Sequence, residues 1–156
     1  MKKLIQALPI LVALFTVGAM VACKDKGPHL NPEIKFEATI DGLQQIPRTS
    51  STATGRLDGL YNKDTRKLTY TITYSGITPT VGRLFYAGEG FNTVDPSIGP
   101  DIRTAASPIS GELTLTQLQE NWLLGSGIHL ILFTNAFKSG EIRGQLKPSE
   151  LVALKK

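Results

Sequence analysis

The side chains able to do covalent or metal chemistry are few and lie far apart. The chain holds one cysteine, Cys23, and two histidines, His29 and His129. Nucleophilic catalysis needs a nucleophile, a base within reach and a group that orients the base. Gly125-Ser126-Gly127 lacks both the five-residue pattern and the strand-to-helix order of a nucleophile elbow. A transition-metal centre needs three or more converging N, S or O donors, and a lone cysteine also excludes an intrachain disulfide. Glu89, Asp95 and Asp101 lie in or beside a Gly/Pro-rich stretch over 88–100. Such oxygen donors could hold calcium, but their spacing of six is looser than an EF-hand loop. Phe85, Tyr86 and Phe91 flank the same stretch, either as a platform for sugar or peptide or as core filling. Glu141 and Arg143 are two apart and share one strand face, which suits a salt bridge or, alternatively, substrate binding by Arg143.

That inventory fits a binding surface better than a reaction centre. The candidate surface is Arg83, Tyr86, Glu89, Phe91, Asp95 and Asp101. No catalytic residue, metal site or cofactor is expected. Charge narrows the partners further. The net charge is +4, and removal of Lys2 and Lys3 with the first 22 residues leaves 15 basic against 13 acidic side chains, or +2. A balance that small is no nucleic-acid footprint. Hydrophobic residues at 41% and charged residues at 19% mark a globular chain long enough for one domain.

Residues 1–22 carry the layout of a secretory signal. Lys2 and Lys3 precede an apolar stretch, Leu4 to Val17, and small residues follow at Gly18, Ala19 and Ala22. Pro9–Phe15, the unbroken apolar run, is shorter than the roughly 20 residues of a membrane span. Met20-Val21-Ala22-Cys23 resembles a bacterial lipobox, with Met20 in place of the preferred Leu. The resemblance implies cleavage before Cys23 and a diacylglyceryl thioether on its sulfur. Acyl chains contribute roughly 0.8 kcal/mol per buried CH₂, so two or three of them anchor firmly. The expected location is the bacterial cell envelope, periplasmic or surface-exposed, with the membrane as one partner and an envelope protein or glycan as another. Residues 23–33 form a tether with no apolar period, and His29 falls there as a solvated side chain.

From Ile34 the pattern turns to period two, and the expected folded domain runs over 34–147. Ile34, Phe36, Ala38 and Ile40 alternate with polar residues. A second strand is expected over 52–61, with a bulge where Gly59-Leu60-Tyr61 breaks the alternation. After a turn at Asn62-Lys63-Asp64, Leu68, Tyr70, Ile72 and Tyr74 face inward, and Thr69, Thr71 and Thr73 face outward. Residues 81–87 and 109–115 are further strands, with 88–100 as a loop between them. Thr116-Gln117-Leu118-Gln119 has the form of a capping box, opening a short helix near 117–124 that ends at Gly125. Leu118, Trp122 and Leu123 are its expected buried face. The stretch 128–134 is apolar on both faces, with Ile128, Leu130 and Leu132 on one and His129, Ile131 and Phe133 on the other. The last strand, 141–147, turns Ile142, Gly144 and Leu146 inward, and 148–156 is a tail. The expected fold is all-β, an antiparallel sandwich or Greek-key-like barrel with one short helix.

Several segments in order resemble the CHRD domain, a module named after chordin and also found in secreted bacterial proteins. They begin with Phe36-x-Ala38-x-Ile40-x-Gly42-x-Gln44-Gln45-Ile46-Pro47 and Thr54-Gly55-x-Leu57. Leu68-Thr69-Tyr70-x-Ile72-x-Tyr74-Ser75-Gly76-Ile77 and Gly111-x-Leu113-x-Leu115-Thr116 follow. Gly140-Glu141-Ile142-Arg143-Gly144-Gln145-Leu146 is the most specific piece. The resemblance implies a β-sandwich-like fold and an extracytoplasmic binding or structural role without established catalysis. It also implies a His-x-His pair where this chain has Arg83 and Phe85, and a His-Thr where it has Phe133-Thr134. The alternative function is an envelope enzyme or metal protein using the 88–101 loop.

Overall fold

A computed structural model describes residues 32–87, 97–104 and 106–149. The signal, Cys23, most of the tether, Glu89, Phe91, Asp95 and the end of the tail lie outside the described residues. Among the described residues are β1 (Glu33–Asp41), β2 (Thr54–Asn62), β3 (Lys67–Ser75), β4 (Val81–Tyr86), β5 (Ser97–Ile102) and β6 (Ile109–Thr114). Then come α1 (Gln117–Leu124), β7 (Ile128–Phe133), β8 (Ile142–Gln145) and β9 (Lys147–Pro148). The strands form one sheet in the order β5-β4-β7-β8-β1-β2-β3-β6, with every pairing antiparallel and β9 beside β1. The two edges approach each other. A methyl group on Gly99 of β5 would lie 2.7 Å from Leu113 of β6. The sheet is therefore a nearly closed barrel around one core.

Alternation decides what enters that core. Phe36, Ala38 and Ile40 of β1, Leu57 and Tyr61 of β2, and Leu68 and Ile72 of β3 are buried together, and the residues between them face outward. Bulky and bare positions alternate around the wall. Phe36, Gly59, Tyr70 and Gly111 stand in one cross-strand row, and the Tyr70 ring covers the space a Gly111 side chain would take. The expected bulge at Gly59-Leu60-Tyr61 is absent: register with β1 and β3 runs unbroken, Gly59 and Tyr61 face inward, and Leu60 faces out. Gly59 is part of the row, not an interruption of it.

The helix begins where the capping box places it. Thr116 accepts from the Gln119 amide and Gln119 accepts from the Thr116 amide. Its buried face differs from expectation, because Glu120 and Leu123 turn inward and Leu118 is 57% exposed. Trp122 stacks on Tyr86 with ring centroids 4.3 Å apart. The left-handed residue after the helix is Ser126 (φ 57), not Gly125. The 88–100 loop is shorter than expected, since β5 begins at Ser97. Only Ile98 and Ile102 of β5 reach the core, and Pro100 is tolerated because β5 is an edge.

Candidate functional site

The wall formed by β4, β7 and β8 is covered on both faces. Inward lie Leu84, Ile128, Leu130, Leu132 and Ile142. Outward lies a second small cluster of Phe85, Ile131 and Phe133, with Val81 against it. Register explains its membership. Arg83 pairs with Ile131, Phe85 with His129 and Val81 with Phe133, while Ile131 and His129 pair across to Arg143 and Gln145. Side chains two apart along each strand thus meet on one outer face.

The three positions at which the resemblance implies histidine converge on this face. The Phe85 and Phe133 rings meet edge to face with centroids 6.1 Å apart, and the Arg83 guanidinium sits 5.6 Å from the Phe133 centroid. Arg83 also grips Asp101 of β5 through two hydrogen bonds of 2.6 and 2.9 Å. The Asp101 bond holds the Arg83 pKa above its ordinary value, and the same bond lowers that of Asp101. Asp101 is therefore committed to a guanidinium, which competes with any cation for its oxygens.

His129 is 1% exposed and stacks on Phe85 with centroids 5.8 Å apart. Neither ring nitrogen has a hydrogen-bond partner among the described residues. Burial first, and the charge of Arg143 second, push its pKa down to about 3. The ring is therefore neutral across the physiological range. Of the other candidates, Arg83 and Asp101 share this outer face. Tyr86 points the opposite way, onto Trp122 at the edge of the core.

The segment from Gly140 to Gly144 ties this wall to the rest of the barrel. Gly140 has φ +105, and a methyl group there would lie 2.4 Å from Ile131 and 2.6 Å from Gln45 Nε2. Gln45 Nε2 donates to the Ser139 carbonyl at 2.8 Å. The Glu141 carboxylate, 7% exposed, accepts from Ser51 Oγ at 2.6 Å and from Thr134 Oγ1 at 2.5 Å, and its carbonyl accepts from Thr49. Ile142 enters the core. Gly144 lies against β1, where a methyl group would come 2.4 Å from the Thr39 carbonyl oxygen. Ser51 and Thr134 escape sequence reasoning, because residues 90 and 7 positions away meet Glu141 only through the fold. Gln45 belongs to the first quoted motif, but its contact with Ser139 spans 94 positions.

Among the described residues no three or more His, Cys, Asp or Glu side chains come together as a metal cluster. No helix among them is long and apolar enough to cross a membrane. These features define a class: a nearly closed all-β domain whose Gly140–Gly144 segment is a structural clasp, with polar and apolar groups displayed on its outer walls. The CHRD domain model matches residues 36–146, nearly all of that barrel, and the chain belongs to the CHRD family. That family supplies binding or structural domains. No curated protein and no solved structure matches the chain.

Proposed function

We propose that this chain is a non-enzymatic CHRD lipoprotein of the bacterial envelope, anchored through lipid on Cys23 and presenting its barrel to a protein or glycan partner. The observation that carries the non-catalytic part is the occupancy of the β4–β7 face. Arg83, Phe85 and Phe133 form a cation–aromatic cluster where imidazoles are expected from the resemblance. A guanidinium and two phenyl rings supply no lone pair for a metal and no base for proton transfer. His129, with its pKa near 3 and its burial, is a poor general base at neutral pH. The alternative, a metal or enzyme site built on the 88–101 loop, loses support because Arg83 already engages Asp101.

Anchoring rests on the lipobox-like Met20-Val21-Ala22-Cys23 behind a short apolar run. The test is fatty-acid labelling of the full chain in a bacterial host. Wild type incorporates labelled palmitate and fractionates with membranes, whereas Cys23→Ser takes up no label. Label on the Cys23→Ser protein would refute the anchor.

A further inference from the structure

The root of the tether fixes one end of the barrel. Lys63 N donates to the Pro32 carbonyl at 2.7 Å, which pins the start of β1 to the 62–66 turn between β2 and β3. Leu115 N donates to the Arg66 carbonyl at 2.8 Å, which brings the start of α1 to the same turn. Tether root, turn and helix thus lie at one end, and the 43–48 loop lies at the other, beyond Asp41. Pro32 stands nine positions after Cys23, a reach of roughly 30 Å at full extension. β1, also nine residues, is about as long. A lipid on Cys23 would therefore hold the helix end close to the bilayer, and the loop end could reach it only with the tether stretched along the whole barrel. A surface held that near its target needs only a weak contact to stay on it. What the helix end shows to solvent suits that place. α1 turns Glu120, its only carboxylate, inward with Leu123. At about 100° per residue, Leu118 stands on the opposite side. It is 57% exposed, with Asn121 exposed and Trp122 half-buried beside it. An uncharged helix side with a leucine at its crest and a tryptophan next to it has the make-up of a surface that enters the headgroup boundary. Arg66 is exposed on the adjoining turn, and Lys63, Asp64 and Arg66 together leave that turn one positive charge in excess, which suits an anionic bilayer.

We propose that the α1 end of the barrel rests on the bilayer that holds the Cys23 lipid, with Leu118 inserted at the headgroup–acyl boundary and Arg66 beside anionic headgroups. The 43–48 loop, with Leu43 68% exposed, then points away from the membrane. The inference rests on the lipid anchor proposed above and adds an orientation to it: the barrel lies in one pose on the bilayer and does not tumble on its tether.

The test uses the full chain made in a bacterial host, then purified and reconstituted in phosphatidylcholine–phosphatidylglycerol vesicles whose acyl chains carry a shallow fluorescence quencher. Cys23 is the chain's one cysteine, and the thioether consumes its thiol, so a single introduced cysteine is the only site for a fluorescent label. Palmitate incorporation is measured first. With the anchor present, a label on Leu118→Cys should be quenched about threefold more than a label on Leu43→Cys. A label on Asn121→Cys should be quenched as well, and adding Leu118→Glu should remove roughly half or more of that quenching, because a carboxylate does not enter the boundary. Leu43, Leu118 and Asn121 are all exposed, so the variants keep the fold, which circular dichroism checks. Protein without palmitate would remove the anchor and this inference with it. Palmitate-bearing protein with equal quenching on Leu118→Cys and Leu43→Cys, or with Asn121→Cys quenching unchanged by Leu118→Glu, would overturn the pose and leave the anchor standing. A label on Leu118→Cys that lipid does not quench in vesicles, but that is shielded from an aqueous quencher in native membranes, would also overturn it and assign the surface to a protein.

Discussion

His129 should make the fold acid-sensitive in a window set by one ring. Its pKa is about 3 in the folded protein, and an unfolded histidine titrates near 6.5. Because the folded value is the lower, the unfolded chain binds a proton first as the pH falls. The stability tied to the neutral ring is complete above pH 6.5 and is lost as the pH drops toward 3. Linkage gives a loss of about 2 kcal/mol between about pH 7.5 and pH 5, and roughly 4–5 kcal/mol by pH 3. Arg143 is the charged group acting on the ring, and it keeps its charge throughout this range. The perturbation is His129→Leu, which replaces an imidazole lacking hydrogen-bond partners among the described residues with an apolar group between Phe85 and Ile131. Removing a buried polar group that makes no hydrogen bond should stabilise the protein by about 1–3 kcal/mol at neutral pH. The assay is urea unfolding of both proteins across the pH series. The stability difference between them should widen in the variant's favour by about 2 kcal/mol from about pH 7.5 to pH 5. The carboxylates and His29 are common to both proteins and cancel in the difference. Parallel pH curves would show that the ring reaches water or a partner in the folded state, and the assignment of a buried neutral imidazole would then fail.

Gly144→Ala should destabilise by about 1–3 kcal/mol or more in chemical denaturation, because the added methyl meets the Thr39 carbonyl, and backbone moves less readily than a side-chain tip. Glu141→Ala should cost about 2–4 kcal/mol by leaving the Ser51 and Thr134 hydroxyls without their acceptor, and Glu141→Gln, which keeps one acceptor, should cost less than half of that. Equal losses in the two Glu141 variants would mean that the clasp needs the carboxylate charge or both of its acceptor oxygens, and that one accepted hydroxyl is worth nothing. Ile72→Ala should cost roughly 2–5 kcal/mol and its neighbour Thr71→Ala no more than about 0.5 kcal/mol, as measured by urea midpoints.

The strands legible in the sequence are those whose neighbours differ in polarity. β1 and β3 alternate cleanly, so their inward sets follow from period two alone. β7 is apolar on both faces, and its double burial is equally visible. β5 escapes because Ser97–Ile102 places Gly99 and Pro100 between two isoleucines, and its strand character comes from pairing with β4, not from its own pattern. Gly59 misleads for a related reason. A glycine inside a strand signals a bulge when its strand is read alone, but beside Phe36 and Tyr70 it is the gap that lets two rings share one row. The helix start is local and could be read, whereas its buried face depends on which side meets the barrel. Its spacing predicts Leu118 inward, whereas packing leaves Leu118 exposed and buries Glu120 beside Leu123.

The site divides along the same line. Arg83, Phe85 and Phe133 could be singled out from the resemblance, but their convergence is a matter of register: Phe133 pairs with Val81, two residues before Arg83 on β4, and its ring leans along the strand to reach both Arg83 and Phe85. Set against the histidines that the resemblance implies, the residues present make sense as a set. A single phenyl group among imidazoles would bury donors without partners, but two phenyl rings topped by a guanidinium satisfy one another, and Asp101 completes the charge balance on the solvent side. His129 is the exception on this face, an imidazole held among apolar groups without a hydrogen bond to any described residue. Its place beside Arg143, whose charge disfavours the imidazolium further, couples the stability of this wall to proton concentration.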